Sequence, residues 1–343
     1  MRRTVIDSYN GEQIIAYEIE NEQLSCTVMN FGAAVLELKY KGRDVVLAHE
    51  HFRGYLDNGA CLGVVVLPNA NRTGGASYEL NGERYQMEVN EHGHNNLHSS
   101  LSNGAHKRIW NVDRWEKDFL SLSLEMKDGD LGFPGNRLFK VTYSLLKNRL
   151  TIRYEAQSDK DTVFNPTNHS YFNLNGHDSG TIMDHVLMIN ADRFTPYDKE
   201  LICSGEIRDV AGTPFDFREP HTIGKLWDLN DEQMGFGKGY DHNFVLDKEK
   251  GDLCFVLKGN VSGITMECYT DMPGVQVYTG NYLNEHDGKN GCVYDEHAGV
   301  ALETQYFPNS LNITQFKTPV LKAGEHKILT TRYLFSVDES ESE

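Results

Sequence analysis

Leu120-Ser121-Leu122-Ser123-Leu124-Glu125-Met126 places an apolar residue at every second position, with serine or glutamate between. Successive side chains of a β-strand point to opposite faces, so this run reads as a strand with one face in the core and one toward water. The rhythm extends outward. Val141, Tyr143 and Leu145 lead to the turn Lys147-Asn148-Arg149, and Leu150, Ile152 and Tyr154 run back, which predicts a hairpin. Asn81-Gly82 separates residues 78–80 from 84–87, and Asn-Gly suits the positive φ angles of a two-residue hairpin turn. Lys41-Gly42 divides Val35–Tyr40 from 45–47 in the same way. Further strands are expected at 186–189, 244–246, 253–257, 264–269, 275–279 and 328–337, with short helices at 52–57, 223–229 and 231–234. Many short strands and few helices predict an all-β sandwich or barrel.

No linker or charge run interrupts the interior of the 343 residues, so a single domain is expected over 1–337. Residues 338–343 hold four acids in six positions and read as an acidic disordered tail. The net charge is 33 − 50 = −17, which repels phosphate backbones and anionic lipid and argues against nucleic acid or membrane partners. The six cysteines are scattered without a C-x-x-C pair, so neither a zinc framework nor a redox motif is read. The amino terminus lacks the apolar core of a signal peptide, and no run approaches the ~20 apolar residues that span a bilayer. A reducing cytoplasm fits these features.

Four polar stretches are candidates for chemistry, in addition to the midpoint segment Asn165-Pro166-Thr167-Asn168-His169-Ser170-Tyr171-Phe172-Asn173. That segment surrounds one imidazole with amides, hydroxyls and rings, a set suited to proton transfer beside a polyhydroxy ligand. The polar turn Pro68-Asn69-Ala70-Asn71-Arg72-Thr73-Gly74-Gly75 offers amide groups and a rigid fork of donors, or serves turn chemistry alone. Glu91, His92, His94 and His98 lie within eight residues and read as metal ligands, as an inert loop, or as a loop from which His98 touches sugar. Asp241 precedes a strand, as a turn cap or as an acceptor for two sugar hydroxyls. Glu303 follows an apolar strand, where burial of an unpaired charge is costly, so it is either exposed or held in a cleft. In a cleft beside His169, the two would form an acid–base pair.

Taken in order, Asn71-Arg72, Leu97-His98, Thr167–Asn173, Gly212–Phe217, Gly239–His242, Gly274–Asn281 and Leu302–Gln305 resemble the aldose 1-epimerase (galactose mutarotase) family over about residues 20–335. The resemblance implies a large twisted antiparallel β-sandwich with an open sugar cleft. It implies Glu303 as general base and His169 as general acid, with Asn71, Arg72, His98, Asp241 and Gln276 contacting the sugar. A carboxylate close to His169 is expected to favour its imidazolium form. No metal or organic cofactor is implied, and the expected partner is a small-molecule sugar bound by a monomer or homodimer. Two departures from the family pattern, Leu67-Pro68 and Ser99-Ser100, fall near the expected cleft and leave the preferred aldose open. Three rival readings use the same residues: a non-catalytic sugar-binding protein, a metal-dependent isomerase built on His92, His94 and His98, and an epimerase of phosphorylated sugars, which would need a basic pocket.

Overall fold

The computed structural model describes residues 2–247 and 252–337; the acidic segment 338–343 lies outside them. The fold is all-β. Every pair of strands among the described residues is antiparallel, and three open sheets dominate. One is a five-stranded meander over residues 3–44. One is nine-stranded and centres on Arg137–Leu146, Arg149–Ser158 and His326–Val337. The third has six strands in the order Tyr171–Phe172, Val300–Gln305, Gly274–Tyr278, Asp241–Val245, Arg193–Thr195, Arg208–Asp209. One apolar cluster joins all three: Cys26 and Val28 from the first, Val141, Ile152 and Tyr154 from the second, and Phe244, Val275, Val277 and Leu302 from the third.

The expected hairpins form. Arg137–Leu146 pairs with Arg149–Ser158 along its whole length, from Arg137↔Ser158 to Leu146↔Arg149. Asn81 (φ 55°) and Gly82 (φ 80°) make the tight turn between Ser77–Leu80 and Glu83–Gln86, as do Lys41 (φ 48°) and Gly42 (φ 83°) after Val35–Tyr40. Both turns require the left-handed region at two successive residues, and glycine at the second enters it without steric cost. The helices are Phe52–Leu56 and Glu232–Gly237. The second begins one residue later than expected because Asp231 is its cap, accepting from the N–H groups of Gln233 (2.9 Å) and Met234 (3.1 Å). The segment expected as a helix at 223–229 is instead a short 3₁₀ turn, Ile223–Leu226.

Alternation along the six-stranded sheet determines where the site sits. Phe244, Val275, Val277, Leu302 and Phe172 face the core. The residues between them share the opposite face. Cross-strand pairs there are Asp241↔Tyr278, Asn243↔Gln276, Gln276↔Glu303 and Tyr171↔Ala301. A single sheet therefore has one apolar and one polar face, and the polar face forms the floor of a cleft.

Candidate active site

The cleft is a cavity of about 430 Å³ lined by Asn71, Arg72, His98, His169, Asp241 and Glu303, with Tyr171, Tyr278 and Tyr282 among its other walls. Six of the seven residues expected at the site thus meet in one hollow. The seventh, Gln276, stands directly behind: its Nε2 donates to Asp241 Oδ1 at 2.7 Å, and its Oε1 is buried without a protein partner.

Glu303 and His169, 134 positions apart in the chain, approach to 3.5 Å between Oε1 and Nε2. Both are buried, and Glu303 Oε2 and His169 Nδ1 have no hydrogen-bond partner in the protein. Burial raises the Glu303 pKa to about 8, the Asp241 charge adds to this, and Arg72 opposes it. Burial lowers the His169 pKa to about 4. The expectation that a nearby carboxylate would hold His169 as imidazolium is therefore corrected for the unliganded cleft. Burial disfavours both charged forms, pushing His169 toward neutral imidazole and Glu303 toward its protonated form.

His98 is bound both ways to Asn71. Its Nδ1 accepts from the Asn71 N–H at 3.1 Å, and its own N–H donates to the Asn71 carbonyl at 3.2 Å. Burial, followed by the neighbouring His169, His106 and Arg72, lowers the His98 pKa well below the ordinary value, so the ring is neutral. With Nδ1 accepting, the ring proton is on Nε2, and His98 presents a donor to the cleft. That tautomer also decides the metal question. His98, His169 and Glu303 lie close enough together to ligate an ion, but His98 Nε2 has no lone pair to give. The other proposed trio does not assemble. His92 and His94 are exposed, and His94 Nε2 pairs with Glu200 at 2.8 Å.

Arg72 is flanked by carboxylates. Its Nε donates to both oxygens of Glu91 (2.9 and 3.1 Å), and an Nη reaches Asp241 at 3.4 Å. Burial disfavours the guanidinium charge, but Asp241 and Glu91 more than offset this and keep it charged. It is the one lysine or arginine among the lining residues and is already neutralised, so the cleft is not the basic pocket that a phosphorylated sugar would require.

The asparagines near His169 serve the fold rather than the ligand. Asn168 Nδ2 donates to the Gly63 carbonyl (2.9 Å), and Asn173 Nδ2 to the carbonyls of Gly180 and Ala298. Asn165 Oδ1 accepts from the Tyr306 N–H at 2.8 Å. His169 itself is fixed by backbone bonds to both neighbours of the 63–64 peptide: its N–H donates to Val64 O (2.9 Å), and its carbonyl accepts from Gly63 N–H (3.0 Å). The two departures in sequence also lie outside the cavity lining. Leu67 is in the core, and the Ser99 hydroxyl accepts from the Asn69 N–H and donates to the Asn69 carbonyl, both at 2.9 Å. Sequence reasoning leaves Tyr171 and Tyr278 between stacking on a sugar and filling the core, with the core favoured, whereas both line the cavity; it missed Glu91 as the partner of Arg72. Alternation held the signal for the first two, since Tyr278 lies two residues past Gln276 on one strand and Tyr171 pairs with Ala301, two before Glu303.

Comparison with known proteins gives a consistent result. The sequence model of the Aldose 1-epimerase family matches residues 16–334. The chain is similar to the galactose mutarotase of Sus scrofa, with 38% identity over 328 residues covering 94% of each chain. It is similar to the aldose 1-epimerase of Haemophilus influenzae, with 34% identity over 343 residues covering 98% of this chain and 99% of that one. A crystal structure of an aldose epimerase homologue from C. elegans superposes with a TM-score of 0.87 at 29% identity, covering 94% of this chain and 99% of that one.

Proposed function

The chain belongs to the aldose 1-epimerase family, and on that premise we propose that Glu303 and His169 are the base and acid that interconvert the anomers of a free aldose. The protein is an isomerase acting on carbohydrate. Galactose is the substrate we assign, with glucose as the alternative hexose. The observation that carries the assignment of roles is the 3.5 Å approach of two buried, complementary proton carriers inside the cavity.

The chemistry needs no electron transfer and no leaving group. Glu303 removes the proton from the C1 hydroxyl while His169 protonates the ring oxygen, and the C1–O bond of the ring breaks. The free aldehyde turns about its C1–C2 bond. Reclosure on the other carbonyl face returns both protons, so each residue ends as it began. The reactive pair is Glu303 carboxylate with His169 imidazolium. It carries the same number of protons as the resting pair, with the proton moved from one residue to the other. Burial opposes that move, because it pushes each group toward its neutral form. Attraction between the new charges at 3.5 Å works against this penalty. A sugar that donates its C1 hydroxyl to one and offers its ring oxygen to the other favours the charged form. Asn71, Arg72, His98 and Asp241 supply donors and acceptors for the remaining hydroxyls, and Gln276 orients Asp241.

Polarimetry on fresh α-galactose tests the reading. Glu303→Gln and His169→Asn are each expected to lower kcat by ~10²–10⁴-fold, with sugar affinity changed only a few-fold. Near-normal rates in either variant remove that residue from the mechanism. We also place the protein in the cytoplasm. Its six cysteines are all free thiols, as a reducing compartment requires, and no helix among the described residues is long and apolar enough to cross a membrane.

A further inference from the structure

Glu91 touches the site without lining the cavity. Glu91 contributes both carboxylate oxygens to Arg72 Nε, and the two side chains are 14% and 12% exposed. The turn that carries Glu91 is closed on itself. The Glu91 and Asn95 backbones bond to each other, the Asn90 side chain donates to the Leu97 carbonyl (2.9 Å), and it accepts from the Leu97 N–H (2.7 Å). The returning limb, Asn96–Leu97, pairs with Arg72–Thr73 and leads directly to His98. A single short turn therefore sets Glu91, the backbone of Arg72 and the imidazole of His98 relative to one another.

We infer that Glu91 is a positioning residue for substrate binding, holding the Arg72 guanidinium by its Nε edge so that its remaining donors serve the sugar. The inference rests on the reading of Arg72 as a substrate contact. Arg72 has five N–H donors. Glu91 occupies the one on Nε, and Asp241 takes one from an Nη at the long distance of 3.4 Å. Without Glu91, the planar fork is free to turn and engage Asp241 with two parallel bonds, the preferred geometry of a guanidinium with a carboxylate. That rearrangement would consume two Arg72 donors and crowd Asp241, whose Oδ1 already accepts from Gln276, leaving less of both for sugar hydroxyls. The contacts lie away from the atoms that exchange protons, so their loss weakens ground state and transition state alike and appears in KM.

The test is a double-mutant cycle on the full-length enzyme, with galactose as substrate and polarimetry as the readout. Glu91→Ala is expected to raise KM about tenfold with kcat within about twofold. Glu91→Gln still offers an oxygen to Nε and is expected to recover most of that loss. In an Arg72→Ala background, Glu91→Ala is expected to change KM by less than about twofold, because the group it positions is gone. An equal tenfold loss in both backgrounds would mean that Glu91 merely supports the loop, and the inference falls. A wild-type KM in Glu91→Ala, with KM raised in Arg72→Ala, also overturns it while leaving Arg72 as a sugar contact. A wild-type KM in Arg72→Ala overturns the assignment of Arg72 itself, and with it the role of Glu91. Should Glu91→Ala fail to fold, Glu91→Gln serves through a second readout. Removing the Glu91 charge leaves Arg72 more strongly positive toward Glu303, so the alkaline limb of kcat/KM moves to lower pH. An unmoved limb together with an unchanged KM sinks the proposal.

Discussion

Glu303 and His169 share one proton across the range between their two pKa values, and both enzymatic and thermodynamic consequences follow. Below about 4 both residues are protonated and the base is lost; above about 8 the proton is gone and the acid is lost. kcat/KM is therefore expected to be bell-shaped, with limbs near these values that belong to the pair rather than to either residue. A polarimetric profile flat through pH 10 would refute the assignment. Stability responds as well. The Glu303 pKa is raised from 4.5 unfolded to about 8 folded, so the folded protein binds more protons than the unfolded chain between those values. The contribution of Glu303 to stability then falls as pH rises across that window. Glu303→Gln carries no such penalty. Its melting temperature should match wild type near pH 4 and exceed it at pH 8, by an amount equivalent to roughly 2–4 kcal/mol. Equal melting temperatures at both pH values would mean that Glu303 is not desolvated. At this scale the candidate residues were legible in the sequence as chemical types, but their meeting was not. Nothing in the 133 intervening residues states that an Asn-flanked histidine and a glutamate after an apolar run share a hollow. The electrostatic balance was also hidden, because desolvation is a property of the closed cleft.

The hairpins were legible as elements because turn chemistry and alternation agree in each. Where alternation is weak, reading failed. Arg3–Tyr9 is a strand with almost every side chain solvated, at the edge of the first sheet, and it shows no apolar period. The two-residue strands Val65–Val66 and Thr167–Asn168 are too short to carry a period at all, yet their pairing brings His169 to its place. Gly63 is the tightest point of that arrangement. It has φ 73°, and a Cβ there would stand 2.3 Å from the Val35 carbonyl oxygen. Gly63→Ala must move the backbone that bonds His169 on both sides, and is expected to cost at least about 2 kcal/mol in urea unfolding together with most of the activity. A variant with wild-type stability and rate would show that this segment yields easily. By contrast, Asp231→Ala removes only the cap of a short helix that contributes no residue to the cavity lining. A loss of about 1 kcal/mol with unchanged kcat is expected.

Over the whole molecule, acidity and the makeup of the cleft point the same way. With a net charge of −17 and a lone arginine already claimed by two carboxylates, the protein offers a phosphorylated sugar long-range repulsion and no basic partner. Galactose 6-phosphate should be turned over with kcat/KM at least about tenfold below that of galactose at low salt, and the gap should narrow as salt screens the field. For galactose itself, which is neutral, kcat/KM should vary by less than about twofold over the same range; a strong salt effect would point to a charged natural substrate. The six-stranded sheet ties catalysis to architecture through simple parity. Odd-numbered Glu303 and Ala301 share the face that carries the cleft, Glu303 lining it, while even-numbered Leu302 and Val300 look into the core. Inserting one residue into Val300–Gln305 would exchange the two sets, sending a carboxylate into oil and a leucine into the sugar's place. Inserting two would restore every side chain to its own side while shifting the carboxylate roughly 7 Å along the strand. Within this strand, then, the length of the chain is counted.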